Sequence, residues 1–593
     1  MADRRPEILA PGGSLEAIEV AVARGADAIY AGVGSLNARV RARNLSPEVL
    51  PAVVRYCHEA GTRIYVTLNV PLREEVLGEA CRVLAACHLA GVDGVILRDF
   101  DLMRICREEF PDLQVHASTQ AGVRSVETAR RAAEAGCSRV ILARECSRED
   151  IRRIRQALPE LDVEVFVFGA MCFGVSGQCL LGEATSGRSG NYGACSQACR
   201  LPYRDASGRE AGHPFSMKDL DLLDHLGDLA DLGVAAWKIE GRLKSPAWVG
   251  CVVAALRRAV DRPRPGLTPG ELDEFRREVS VLYARPRTDA WYRGDRRWEE
   301  LVSPEAPGHR GCDVGEFRVR RTPEGPVVRF RTPVDLNLRD GLLLTVEDPE
   351  DPSGRDFVPV AVTALADGDR RPCGRVSAGR FVEVPVTERR HLLAVAVHSS
   401  DGVRVRWSRV DRPLPASVRQ GVPDPPRFEE VEVTPASLRA VLCRGRLRRE
   451  FTEELRTEPA RGESLSEVHL GRLFGEARYR VAPGLYGNPS HLKEVRRRLW
   501  ARFQEEAERE ASRLAERALA RFRPRWRPPE EDGELLRRGP AAISRVIAMP
   551  PGFYRSPGGT RFQVEERGGN TVVRLVRRGE TPEMPVEKDA SPG

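Results

Sequence analysis

The 593 residues, 41% hydrophobic and 30% charged, make up several domains of a soluble globular chain with a sizeable core, which excludes a peptide or a single small module. No apolar stretch approaches the roughly 18 residues of a membrane span, and Pro11-Gly12-Gly13 breaks the first apolar run too early for a signal peptide. The cytoplasm is therefore the expected compartment, with no membrane partner, and the net charge of +7 is too small to name a partner by itself.

From residue 1 to 258 one unit recurs: a helix-like stretch ending in glycine, a polar step, then a short apolar strand. Gly25-Ala-Asp-Ala-Ile-Tyr30, Gly61-Thr-Arg-Ile-Tyr-Val66, Gly91-Val-Asp-Gly-Val-Ile-Leu97, Gly136-Cys-Ser-Arg-Val-Ile-Leu142 and Gly233-Val-Ala-Ala-Trp-Lys-Ile239 are five copies of one helix C-cap and strand entry. Ile8–Ala10, Val115–Ser118 and Val163–Phe168 bring the strands to eight. Buried strands alternating with helices are parallel, and eight of them close a (β/α)₈ TIM-like barrel, so the fold class is α/β. An open doubly wound sheet is the alternative, but Gly12-Gly13 after the first strand is not its G-x-G-x-x-G fingerprint.

In a barrel, chemistry gathers at the C-terminal strand ends. There the sequence places Asn69, His116, Gln120, Arg144, Lys238, Glu240 and Arg242. Alternation points Lys238 and Glu240 to one face, where a Lys–Glu pair can shuttle protons, and sends Arg242 into the following loop. Arg242 and Lys244 suit carboxylate or phosphate groups. Only five of the 93 basic residues are lysines, so those retained mark places that want a compact, titratable ammonium; Lys218, Lys238 and Lys244 are three of them. His116, Lys238, Glu240 and Arg242 are the candidate catalytic groups. Asn69, Gln120, Arg144, Lys218 and Lys244 are the candidate substrate-binding groups.

The connection between the seventh and eighth strands, about 170–233, is far longer than a usual loop. It holds Cys172-x₆-Cys179-x₁₅-Cys195-x₃-Cys199, threaded with glycines. Four thiolates at this spacing bind a structural zinc or an iron–sulfur cluster, and the spacing does not choose between them. Cys57, Cys81, Cys87 and Cys106 fall on helix-like segments and read as buried thiols.

After the barrel, Thr268-Pro269-Gly-Glu271 opens a helix in a connector of 259–308. Alternating runs over 309–411 predict a small β-barrel or sandwich. A proline-rich linker leads to a mixed α/β region at 428–522, and 523–593 reads as a basic, partly disordered tail with a hairpin near 560–577. From Lys493 to Arg527, twelve basic residues stand against six acidic ones, with Trp500, Phe503, Phe522 and Trp526 interleaved. Arginine with aromatics grips phosphates and stacks on unpaired bases; the alternative is a solvated helix laced with charge pairs.

The stretch Glu164-Val-Phe-Val-Phe-Gly-Ala-Met-Cys-Phe-Gly-Val-Ser-Gly-Gln-Cys179 closely resembles the signature of the collagenase-like peptidase family U32. Ala10-Pro-Gly-Gly13, His116-Ala-Ser-Thr-Gln120, Gly193-Ala-Cys-Ser-Gln-Ala-Cys-Arg200, Ser216-Met-Lys-Asp-Leu220 and Lys238-Ile-Glu-Gly-Arg-Leu-Lys-Ser245 resemble its other blocks, in its order. The later regions are similar in layout to the family's long form, which accompanies hydroxylation of a cytidine in large-subunit ribosomal RNA. The resemblance implies an oxygen-independent RNA hydroxylase with a [4Fe–4S] cluster on Cys172, Cys179, Cys195 and Cys199, with RNA as partner and prephenate as co-substrate. The alternatives are a peptidase, as the family's older name says, and a non-enzymatic RNA-binding protein with a structural zinc. No His-Glu-x-x-His or Gly-x-Ser-x-Gly motif supports the peptidase.

Overall fold

The computed structural model describes residues 5–205, 210–294, 297–349, 355–455, 457–459 and 464–527, with four strands between 542 and 576. Eight parallel strands form the barrel: Glu7–Gly12, Ala28–Gly32, Arg63–Leu68, Gly94–Leu97, Gln114–Ala117, Arg139–Ile141, Asp162–Ala170 and Ala236–Glu240. They pair in sequence order, and the eighth closes the ring by pairing with both the seventh and the first. The five glycines of the recurring unit all take positive φ, between 72° and 92°, so each helix is turned into its strand by a residue without a Cβ penalty. Ser14, Asp99, Ser125, Ser147 and Ser245 cap the N-termini of barrel helices with side-chain acceptors.

The stretch read as a connector is built into the barrel. Helix Pro269–Tyr283 starts at the Thr268–Glu271 capping box and buries Leu272, Phe275 and Val279 in the barrel core. Strand Arg287–Thr288 pairs with Asp219–Asp221, which itself runs antiparallel to the end of the seventh strand. Residues 312–403 form antiparallel sheets around a second core that includes Val328, Phe330, Leu344 and Val395. A third core lies between a four-stranded sheet and the N-terminal half of the long helix Pro489–Phe522.

That helix resolves the reading of its charges and aromatics. Phe503 and Phe522 are fully buried, and Trp500 and Trp526 pack against the neighbouring cores. Arg498 and Arg502 pair with Glu453, Arg513 with Glu510, and Arg517, Arg521 and Arg525 with Glu108 or Glu109 on barrel helix Phe100–Glu109. Trp500, Phe503 and Phe522 fall on the helix's apolar stripe and Trp526 follows its end, so they serve packing rather than base stacking, and most of the arginines serve ion pairs. At the C-terminus, strands Arg561–Arg567 and Asn570–Val576 form the expected hairpin, which strand Gly552–Arg555 joins to Tyr203–Asp205.

Inside the barrel, charge is buried. Arg139 reaches Glu7 at 2.7 Å and Glu164 at 3.3 Å, and Lys238 donates to Glu164 at 2.7 Å. Tyr65 donates to Glu7 at 3.1 Å, and Arg63 closes on the same carboxylate. Removing one partner of such a network strands the others without water. Arg139→Met is therefore expected to lose about 3–5 kcal/mol, read from urea unfolding midpoints; an unchanged midpoint would mean that the network contributes nothing.

Candidate active site

The C-terminal ends of the strands enclose a cavity lined by Tyr30, Arg39, Asn69, Gln120, Arg144, Lys238, Glu240 and Arg242, among others. Six of the predicted site residues thus meet in one place: Asn69, Gln120, Arg144, Lys238, Glu240 and Arg242. Its free volume of ≈ 30 Å³ is room for about two water molecules. A larger substrate has to displace side chains to enter.

Lys238 and Glu240 do not bond to each other. Lys238 donates to Glu164 and sits 4.2 Å from the centre of the Tyr30 ring; Glu240 pairs with Arg39 at 3.2 Å. A register shift between Lys238 and Ile239, where the eighth strand meets the seventh, leaves Val167 of the seventh strand as the extra residue, and both side chains still line the cavity. Burial lowers the affinity of Lys238 for its proton, and Glu164 opposes that. Burial works to raise Glu240, but Arg39 and Arg144 outweigh it and hold the carboxyl below its usual range.

Arg242 donates to Asn37 at 3.0 Å and Thr67 at 3.4 Å and also reaches Asn44, while burial brings it down to about 10. Asn69 accepts from the Ala38 amide at 2.9 Å and donates to Ser118, so it fixes two loops. Arg39, Asn37 and Asn44 were not singled out in the sequence. Their signal is the length of the loop between the second strand and helix Leu50–Glu59, well beyond the usual few residues. Glu7, Arg139 and Glu164 also escaped notice, although charges inside otherwise apolar strands are a visible anomaly.

Three predicted residues lie elsewhere. His116 is fully buried in the barrel interior, 4.6 Å from the Tyr65 ring, and burial beside Arg139 and Lys238 keeps it neutral. It sits beneath the cavity and does not line it. Lys218 donates outward to the Glu299 carbonyl at 2.8 Å. Lys244 rests 3.0 Å from the Tyr283 ring centre, beside Arg285, Arg200 and Asp219.

The cysteine segment folds over this rim. Gly177, at φ +76°, packs so close to the Gln120 carbonyl that a Cβ would stand 2.1 Å from it. Ser176 bonds to Glu145 through both its amide and its hydroxyl, and Arg98 holds the Gly177 carbonyl at 3.1 Å. Asn191 bridges the amide and carbonyl of Cys179. Arg200 ties the segment's end to Met171 and Ser216. Cys172, Cys179 and Cys199 are half-buried and Cys195 is exposed. Burial pushes the Cys199 thiol up to about 12 and also raises Cys179, which feels the charge of the other three. Among the described residues no three His, Cys, Asp or Glu side chains are drawn tightly enough to hold an ion; the four sulfurs are neighbours rather than a closed shell. In kind they match a Cys₄ metal group, whose positive charge would ionise them. Cys57, Cys81, Cys87 and Cys106 are buried in the core.

The family model "Peptidase family U32" matches residues 13–301, the barrel from the end of its first strand together with the helix and strand built onto it. The chain is 30% identical over 360 residues to an uncharacterized protease of Methanocaldococcus jannaschii, covering 57% of this chain and 86% of that one. The chain belongs to peptidase family U32. Within this U32 chain, 375 residues are 38% identical to the 23S rRNA 5-hydroxycytidine synthase of Escherichia coli K12, covering 62% of the chain and 52% of that protein. Over 269 residues it is 35% identical to the tRNA hydroxylation protein P1 of Bacillus subtilis 168, covering 44% and 64%. The chain spans about half the length of the first of these two relatives and less than two thirds of the second.

Burial, with Arg285 and Arg200 nearby and Asp219 only partly compensating, brings Lys244 from its usual 10.5 down to about 7. Between those values the unfolded chain holds a proton that the folded one has released, so stability rises with pH across that window. Relative to Lys244→Gln, the parent is expected to gain stability from about pH 7 to about pH 10 and to stay level below pH 7. Parallel urea titrations across that range check this, and equal slopes in both proteins would contradict it.

Proposed function

We propose that the chain is an RNA-modifying enzyme, an oxygen-independent hydroxylase that forms 5-hydroxycytidine in large-subunit ribosomal RNA, with prephenate as co-substrate. The observation that carries this reading is the meeting of a four-thiol segment with a cavity of buried, paired acid and cation groups on one barrel rim. The names of two relatives, an rRNA 5-hydroxycytidine synthase and a tRNA hydroxylation protein, point the same way. Among the described residues no helix is long and apolar enough to cross a membrane, and ribosomal RNA as substrate makes the cytoplasm the proposed location.

Cys172, Cys179, Cys195 and Cys199 would hold a [4Fe–4S] cluster. When bound, such a cluster supplies one-electron transfer at a potential set by its hydrogen bonds and solvent exposure. The chain's own groups do the rest. Arg39, Arg144 and Arg242 present guanidiniums that fit a dicarboxylate such as prephenate. Replacing a ring hydrogen of cytosine by hydroxyl takes two electrons and a proton from the ring carbon; an oxidising co-substrate that donates the oxygen atom has to accept the two electrons, and ionised Glu240 would receive the proton. Lys238, held by Glu164, keeps a donor beside it. A peptidase draws support from the family's name and from the protease relative, but the one histidine predicted at the rim, His116, is sealed in the barrel interior.

Anaerobically purified protein is expected to be brown, with about four irons and matching sulfide that Cys195→Ala loses; zinc, or no metal, would overturn the cluster. Nucleoside mass spectrometry of ribosomal RNA from a deletion strain is expected to show 5-hydroxycytidine missing and restored by the parent gene. Glu240→Gln is expected to restore it about 10²–10⁴-fold more slowly. Ribosomal RNA unchanged by the deletion would overturn the hydroxylase reading, whatever the metal content.

A further inference from the structure

A second cavity lies away from the barrel rim, between helix Pro269–Tyr283 with the segment after it and the β-rich domain. It has ≈ 500 Å³ of free volume, enough for a nucleotide-sized ligand. Ala394 and Ala396 form part of its floor, and their small side chains leave it open. Five arginines line it, 276, 277, 285, 287 and 310, against two carboxylates, Asp273 and Asp313.

The arginines fall into two groups. Arg276 and Arg287 are held from behind by Asp221, at 2.9 and 3.5 Å, and Arg285 by Asp219 at 2.9 Å. Arg310 and Arg277 have no ion-pair partner among the described residues. Arg310 sits over the Phe357 ring, its guanidinium carbon 4.2 Å from the ring centre, and its Nη1 is buried without a hydrogen-bond partner. Arg277 is exposed on the facing helix. A buried guanidinium nitrogen left unpaired is costly unless a ligand completes it. A planar fork held over an aromatic ring suits an anion that offers two oxygens. On the long C-terminal helix most arginines are absorbed by glutamates; here two remain open beside three that add to the field.

We propose that this cleft is a phosphate-binding site in which Arg310 and Arg277 grip the phosphate oxygens. The phosphate belongs either to the backbone of a polynucleotide or to a free nucleotide, and the site does not depend on RNA being the substrate of the barrel.

The test uses the full-length protein with two probes, a fluorescein-labelled single-stranded RNA followed by anisotropy and inorganic pyrophosphate followed by calorimetry. The double variant Arg277→Gln/Arg310→Gln is expected to weaken binding of at least one probe about tenfold. If RNA responds, the slope of log K against log salt falls by about 0.7, the share of the one phosphate no longer neutralised, and the source is a polynucleotide strand. If only pyrophosphate responds, the site serves a free nucleotide. Arg277→Gln alone removes an exposed side chain without disturbing packing and is expected to give a smaller loss in the same probe, which separates the site from a folding defect. Arg497→Gln, on the exposed face of the long helix, is the control and should bind as the parent does. The proposal is overturned if the parent binds neither probe, if the double variant binds both unchanged, or if the control loses as much.

Discussion

Glu164 is the point on which the barrel's chemistry turns. It carries two cations, Arg139 from the sixth strand and Lys238 from the eighth, in an interior closed to water. Because the eighth strand must pair with both the seventh and the first, the carboxylate that anchors Lys238 also fixes where the closing strand sits. Glu240 and Arg242, two and four residues on, then emerge among Arg39, Asn37 and Asn44 of the loop after the second strand. The polar rim follows from where that one buried charge pair lies.

The same economy governs the rest of this arginine-rich chain. Each guanidinium must meet a carboxylate, a carbonyl, an aromatic face or solvent, and the helix Pro489–Phe522 shows the first outcome repeatedly. Its pairs with Glu108 and Glu109 clamp the C-terminal region onto the barrel. Glu19 does similar work elsewhere, accepting from the Leu414 amide and from Arg419 to dock the linker on the first barrel helix. Charge here is largely an assembly device, which makes an arginine without a partner informative.

Local rules carried most of the fold into view. The glycine that ends each helix and the apolar run that follows are adjacent in sequence, so five repeats of them betray the strands, and the spacing of Cys172 to Cys199 is likewise a short-range pattern. What remained hidden was set by closure and docking. Nothing near Glu164 in sequence announces Arg139 or Lys238, because the ring brings them together. The aromatics of the long helix look alike whether the stripe meets a base or a neighbouring helix, and only the tertiary contact decides. Lys238 and Glu240 share a parity and line one cavity, yet each meets a different partner, Glu164 from the seventh strand and Arg39 from the loop after the second.

The pairing of Gly552–Arg555 with Tyr203–Asp205 couples two distant stretches of the sequence in time as well as in space. Domains fold in order as the chain emerges from the ribosome, and the barrel's eighth strand is complete by Glu240. The sheet that begins four residues after Cys199 already has strand Glu210–Gly212 by then, but the edge taken by Gly552–Arg555 stays open until that strand has been made. A barrel finished early and a sheet finished late leave an interval during synthesis in which the four cysteines are present and the sheet that follows them is incomplete.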